Sequence, residues 1–149
     1  MRALLQRVKQ ASVSIDGTVH GGIERGIVVF LGVTHQDTGA DAKYLAQRCG
    51  DLRIFEDAEG KMNLSLKDVG GSALVISQFT LYADTHKGNR PSFTDAAPPG
   101  AAEILYNEFV TSLRAEVSLA KVHTGVFRAR MDVGLVNDGP VTIMLETKK

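Results

Sequence analysis

The run Ile27-Val28-Val29-Phe30-Leu31-Gly32-Val33 constrains any fold of this chain more than any other segment. A continuous apolar, largely β-branched stretch reads as a strand covered on both faces, so layers are needed on either side of it. Ahead of it, Ser12-Val13-Ser14-Ile15 alternates polar and apolar residues. Asp16-Gly17 then offers the positive-φ pair of a type I′ turn, and Thr18-Val19-His20 resumes the alternation. Residues 2–34 are therefore expected to be strands. Residues 38–52 switch to helical spacing, with Ala42, Leu45, Ala46 and Cys49 at offsets of three and four, a cap at Asp37 or Thr38, and Gly50 near the end.

Further along, Arg53-Ile54-Phe55-Glu56 reads as a short strand, followed by a turn at Asp57-Ala58-Glu59-Gly60. Gly70-Gly71 opens a second buried strand over Ala73-Leu74-Val75-Ile76-Ser77-Gln78-Phe79. Residues 82–98 form a polar loop, and a loop that long in a compact domain is more often functional than idle. Pro98-Pro99 precedes a second helix over 100–115, with Ile104, Leu105, Phe109 and Leu113 on its apolar stripe. The tail is expected to return to strands at Lys121 to Arg130, Met131 to Val136 and Val141 to Glu146, the last two parted by a turn at Asn137-Asp138-Gly139-Pro140. There is no linker and no close repeat. The fold class expected is α/β: one β-rich domain over residues 1–149, with two main helices.

At 149 residues and 44% hydrophobic content the chain can bury a core without a disulfide or metal staple. Its one cysteine, Cys49, fits a reducing, cytoplasmic setting. No signal peptide is visible, and no apolar stretch approaches the roughly 18 residues of a membrane span. Seventeen basic and seventeen acidic side chains leave no net charge. That excludes the broad basic field of a general nucleic-acid binder, so an RNA ligand would have to be held by a local patch. Lys87, Arg90 and, more remotely, Lys43 and Arg48 could supply one; a solvated surface is the alternative.

Thr80 falls where a buried strand runs out into the long loop, a place where sheets present side chains and free amides to ligands. Ser77 to Leu81 can be a site edge, or a strand end whose hydroxyls satisfy nearby backbone. No His, Lys or carboxylate adjoins Thr80 in sequence to activate its hydroxyl. Gly139-Pro140 can be a trans turn or a cis bond of type VI. The cis form would point two successive carbonyls the same way, as a rigid acceptor pair suited to an ammonium group. His20, His35, His86 and His123 show no ligand spacing, so neither a metal nor a cofactor is expected. Cys49 on an apolar helix face reads as core, and His86 as a solvated loop residue.

The order of these segments resembles the D-aminoacyl-tRNA deacylases. The resemblance is carried by Gln6-Arg7-Val8, Ala11-Ser12-Val13, Arg53-Ile54-Phe55, Gly60-Lys61-Met62-Asn63 and Gly70-Gly71-Ser72. It continues through Val75-Ile76-Ser77-Gln78-Phe79-Thr80-Leu81 and Arg90-Pro91-Ser92-Phe93 to Leu135–Thr142, collinear over about residues 1–145. It implies mixed, barrel-like sheets and a homodimer in which Gly139-Pro140 of one subunit, in the cis form, enters the pocket of the other. The substrate implied is the ester joining a D-amino acid to the terminal adenosine of tRNA, with glycine mischarged on alanine tRNA as a second. Ser77, Gln78, Phe79 and Thr80 would form the catalytic segment; Gly139, Pro140, Arg7 and Asn137 would bind substrate. Phe79 and Thr80 amides would hold the oxyanion, the ribose 2′-hydroxyl would help activate water, and Arg7 would brace the Gly-Pro segment. A non-catalytic aminoacyl-RNA or amino-acid binding module and a small-ester esterase are the alternatives. Turnover and dependence on the 2′-hydroxyl discriminate among them.

Overall fold

The computed structural model describes residues 1–147. The opening segment forms strands β1 (Arg2–Ile15), β2 (Thr18–Ile23) and β3 (Gly26–Gly32). Asp16 and Gly17 sit at φ of 50° and 79°, the positive-φ pair expected of the hairpin. Helix α1 (Gly39–Asp51) follows. The Asp41 carboxylate at its start accepts the Thr38 amide and hydroxyl at 2.8 and 3.0 Å. Gly50 lies near the end of this helix, as expected.

Strands β4 (Phe55–Glu56) and β5 (Met62–Leu64) make a small separate hairpin. Next come a short helix α2 (Leu66–Val69), β6 (Ser72–Ser77), a 3-10 turn over Phe79–Tyr82, α3 (Pro99–Glu116), β7 (Val122–Thr124) and β8 (Asp132–Glu146). The main sheet runs β2-β1-β3-β6-β7, with β8 along the other side of β1. The pairings β1–β2, β1–β3 and β1–β8 are antiparallel; β3–β6 and β6–β7 are parallel. Mixed sheets curling on themselves beside two main helices are the architecture expected from the sequence.

The β3 run is covered on both faces, as its composition demands. Ile27, Val29 and Leu31 join Leu5 and Val75 under Leu45, Cys49, Phe109 and Leu113 of the two long helices. Val28 turns the other way, into a second core with Val8, Val13, Leu74 and Ile76, closed over by Met131, just ahead of β8, and by Val133 and Leu135 at its start. Tyr106 ties α3 to the sheet: its hydroxyl donates to the Val75 carbonyl at 2.7 Å, and burial pushes its pKa up. The Met1 ammonium is enclosed, pairing with Asp37 at 2.6 Å and donating to the Thr147 hydroxyl at 2.8 Å. No helix among the described residues is long and apolar enough to cross a membrane.

Four expectations need correction. The buried strand ends at Ser77, and Gln78-Phe79 leave it to enter the 3-10 turn. Ile104 is 62% exposed, because the face of α3 that meets the sheet carries Tyr106, Phe109, Val110 and Leu113. Only Val122–Thr124 of the 121–130 segment pairs as a strand; the rest is a loop that reaches Arg128, at φ 67°. No turn parts the last two strands. Residues 137–140 lie inside one long strand, β8, whose register against β1 shifts between Gln6 and Val8 and again between Val8 and Gln10. Bulges absorb the extra residues that a turn was expected to take.

Candidate active site

The C-terminal end of β6 and the turn after it open onto a cavity of about 660 Å³, within the range of small-molecule sites. Ser77, Gln78 and Phe79 line it, together with Phe93, Pro98, Phe127, Arg128, Met131 and Val133 among others. Phe79 and Phe93 remain 55% and 39% exposed, and their rings meet edge to face at 5.1 Å. Exposed aromatic rings at a pocket mouth are a platform for a nucleobase or sugar face.

The turn itself is tightly held. The Gln78 amide donates to the Leu31 carbonyl at 2.8 Å, so the backbone is still tied to β3 as it leaves the sheet. The first bond of the turn runs from the Leu81 amide to the Gln78 carbonyl at 3.2 Å. The Phe79 and Thr80 amides precede it, and helix geometry gives such leading amides no partner within their own turn. The Gln78 side-chain amide donates to the Thr80 hydroxyl at 2.5 Å.

Arg2 clamps the far end. Its Nη1 donates to the Leu81 carbonyl at 2.7 Å, its guanidinium lies 4.5 Å from the Tyr82 ring centre, and its Nε pairs with Glu146 at 3.0 Å. Burial, with Asp37 next in effect, pushes the Tyr82 phenol well above its usual range, leaving it neutral and a poor candidate for a base. At Gly32 a Cβ would stand 3.1 Å from the Gln78 carbonyl and from Leu81 Cβ, so any side chain there would press β3 and this turn apart by a few tenths of an ångström.

The second cluster lies on β8. The Gly139–Pro140 peptide is cis, Gly139 has φ 147°, and both residues are exposed. Asn137 holds the segment from within. Its Oδ1 accepts the Val141 amide at 2.7 Å, and its Nδ2 donates to the Val141 carbonyl and the Thr142 hydroxyl, each at 3.2 Å. Arg7, only 5% exposed, holds it from beneath: Nε donates to the Asp138 carbonyl at 2.8 Å and Nη1 to the Ile54 carbonyl at 2.7 Å. A Cβ on Gly139 would come within 2.8 Å of Val141 Cγ2, 2.9 Å of its amide and 3.3 Å of Arg7 Nη2, and the positive φ disfavours any side chain there.

The eight residues singled out from the sequence thus fall into two groups. Ser77, Gln78 and Phe79 line the pocket, with Thr80 in the same turn. Asn137, Gly139 and Pro140 lie on β8, with Arg7 bracing them from β1, and in the sheet order β3 and β1 lie between β8 and β6. None of that second group lines the pocket. His86 stands in the polar loop, 2.7 Å from Asp84. Lys87, Arg90, Lys43 and Arg48 are exposed and line no part of the pocket. Sequence reasoning missed Arg2, Phe127 and Arg128. Arg2 gave no local signal, and the last two fell in a segment read as a strand.

An aromatic-rimmed cavity at a strand end, with free backbone amides and no ionisable base in its wall, defines a site suited to an ester that is already activated. The chain belongs to the D-Tyr-tRNA(Tyr) deacylase family, whose model matches residues 4–146. It is 53% identical over 149 residues to a D-aminoacyl-tRNA deacylase of Chlorobaculum tepidum, covering 100% of this chain and 99% of the relative. To the protein of the same name from Thermomicrobium roseum it is 58% identical over 147 residues, covering 99% and 94%. Among solved structures, one titled c-Myc DNA Unwinding Element Binding Protein superposes with a TM-score of 0.95 at 41% identity, over 100% of both chains. A probable eukaryotic D-amino acid tRNA deacylase shares the fold, with a TM-score of 0.84 at 18% identity over 97% of both chains.

Proposed function

We propose that the chain, as one domain over residues 1–149, hydrolyses the ester of D-aminoacyl-tRNA in the cytoplasm, releasing the D-amino acid and tRNA. The observation that carries this is the turn after β6. It sets two leading amides, an aromatic pair and a small-molecule-sized cavity at one strand end, in a chain that belongs to a deacylase family. The terminal adenosine enters beside Phe79 and Phe93. The Phe79 and Thr80 amides take the negative charge that develops on the ester carbonyl, where fixed dipoles act most strongly. The neighbouring ribose 2′-hydroxyl assists the attacking water, which supplies the base that the pocket wall lacks.

Stereochemical choice falls to Gly139 and Pro140, presented from a second copy of the chain. Their position favours this: they are exposed, braced by Arg7 and Asn137, and set apart from the pocket of their own chain. Val136 and Met144, each 43% exposed along β8, give that face the apolar surface a partner would cover. The main-chain carbonyls take the amino group and leave no room for an L side chain. This is selection by exclusion. Glycine escapes it, so glycyl-tRNA mischarged on alanine tRNA is also a substrate.

The test is steady-state hydrolysis of a D-aminoacyl-tRNA and its L counterpart, alongside a D substrate ending in 2′-deoxyadenosine. The D ester is expected to be cleaved, the L ester spared and the deoxy substrate slowed. Equal rates for both enantiomers would sink the chiral reading; an unimpaired deoxy substrate would remove the role of the RNA hydroxyl.

A further inference from the structure

Arg128 is the only ionisable side chain among the described residues lining the Phe79 pocket. It is exposed, and no carboxylate of the described residues pairs with it. Its backbone stands at φ 67°, in the left-handed region that glycine enters freely and a long side chain seldom adopts. Backbone strain of this kind persists where surrounding structure holds it, and it gathers at ligand sites. An isolated cation thus stands in an otherwise neutral, aromatic wall, on a backbone that is not its own first choice.

The substrate proposed above has two charged ends. The aminoacyl group carries an ammonium, which a guanidinium repels. The terminal adenosine carries a 5′-phosphodiester, which a guanidinium binds through paired, charge-assisted hydrogen bonds. We propose that Arg128 is a substrate-binding residue that holds the phosphodiester on the 5′ side of the terminal adenosine. It thereby fixes the direction in which aminoacyl-adenosine enters. The assignment rests on the deacylase reading and adds to it a local contact with the nucleic acid, one that a chain of zero net charge requires.

Arg128→Gly is an informative variant because it removes the charge and also relieves the backbone. Its thermal midpoint should equal or exceed that of the unaltered protein, which separates loss of binding from loss of fold. Two readouts decide the proposal. The first is fluorescence anisotropy with a labelled single-stranded RNA trinucleotide ending in adenosine, titrated over a range of salt. Arg128→Gly should weaken its binding about tenfold, the scale of one charged hydrogen-bonded contact. It should also flatten the salt dependence by about 0.7 in the log–log slope, the value for one phosphate on a single strand. Arg128→Lys should recover part of both.

The second readout is hydrolysis of D-aminoacyl-tRNA against D-aminoacyl-adenosine, which has no phosphate. KM for the tRNA should rise by about the same factor, while the nucleoside ester loses markedly less. Trinucleotide binding unchanged in Arg128→Gly, or equal losses on both esters, overturns the assignment. Should the unaltered protein cleave neither ester, the deacylase reading fails, and the anisotropy comparison still decides whether Arg128 binds the phosphodiester.

Discussion

Thr80 and Arg7 are both polar residues of the site, and the structure gives them opposite characters. The Thr80 hydroxyl accepts the Gln78 side-chain amide at 2.5 Å and bonds to no base among the described residues, so none of them is set to draw off its proton. Thr80→Ala is expected to keep kcat within about tenfold of the unaltered enzyme, whereas removal of a true nucleophile costs on the order of 10⁴ or more. Single-turnover hydrolysis of D-aminoacyl-tRNA measures the difference, and complete loss with the fold intact would restore Thr80 as nucleophile. Arg7 is buried, and its planar fork spans two carbonyls on different segments, Asp138 and Ile54. A lysine offers no such fork, so the conservative exchange is not conservative here. From sequence, Thr80 stood out by its place where a buried strand meets the long loop, and Arg7 only through the family resemblance. The partners of Arg7, far away along the chain, were not legible.

At the scale of elements, most strands and both long helices could be read because each has a clear period. The β3 run, the Asp16-Gly17 hairpin and the α1 stripe are signals contained within a dozen residues. Helix α2 was passed over although it carries a capping box: the Ser65 amide donates to the Asp68 carboxylate at 2.8 Å, and the Asp68 amide returns to the Ser65 hydroxyl at 3.2 Å. One turn is too short for periodicity to register. Ile104 was placed on the wrong face of α3 because several apolar residues there compete for one stripe, and only the docked sheet decides among them. The β4–β5 hairpin shows how one side chain can organise an element. The Asp57 carboxylate accepts the Glu59 and Lys61 amides at 2.8 and 3.0 Å and the Asn63 side-chain amide at 2.8 Å. These bonds, the Asn63 one first, hold its pKa below the ordinary 3.8. A depressed carboxylate contributes its stabilisation fully above the unfolded value and loses it as pH falls through the folded one. Carboxyl-carbon NMR should therefore place the Asp57 midpoint below 3.8, with the hairpin amides of Glu59 and Lys61 shifting in step. A midpoint at or above that value would show the loop to be open in solution.

Across the whole molecule, the helices are locked to one another as well as to the sheet. Lys67 of α2 reaches Asp51 at 2.6 Å and Glu116 at 2.5 Å, joining the ends of α1 and α3. What no local reading could supply is the distance between the two site segments. The resemblance implies that Ser77 to Thr80 meet Asn137 to Pro140 only across two subunits, and within one chain the sheet order sets β3 and β1 between them, because pairing of β1 with both β3 and β8 is decided by the assembled core. Cys49 belongs to that core, facing the sheet from α1, fully buried and with its thiol pushed far above the usual range by burial. It is also the chain's single sulfhydryl. The molecule therefore carries its own clock for opening. A disulfide reagent can reach Cys49 only when α1 lifts from the sheet, so the labelling rate should track global unfolding rather than motion of the loop around the pocket. With a tight-binding, non-hydrolysable substrate mimic present, labelling should slow in proportion to occupancy. If labelling ignores denaturant and ligand alike, the helix moves independently of the site.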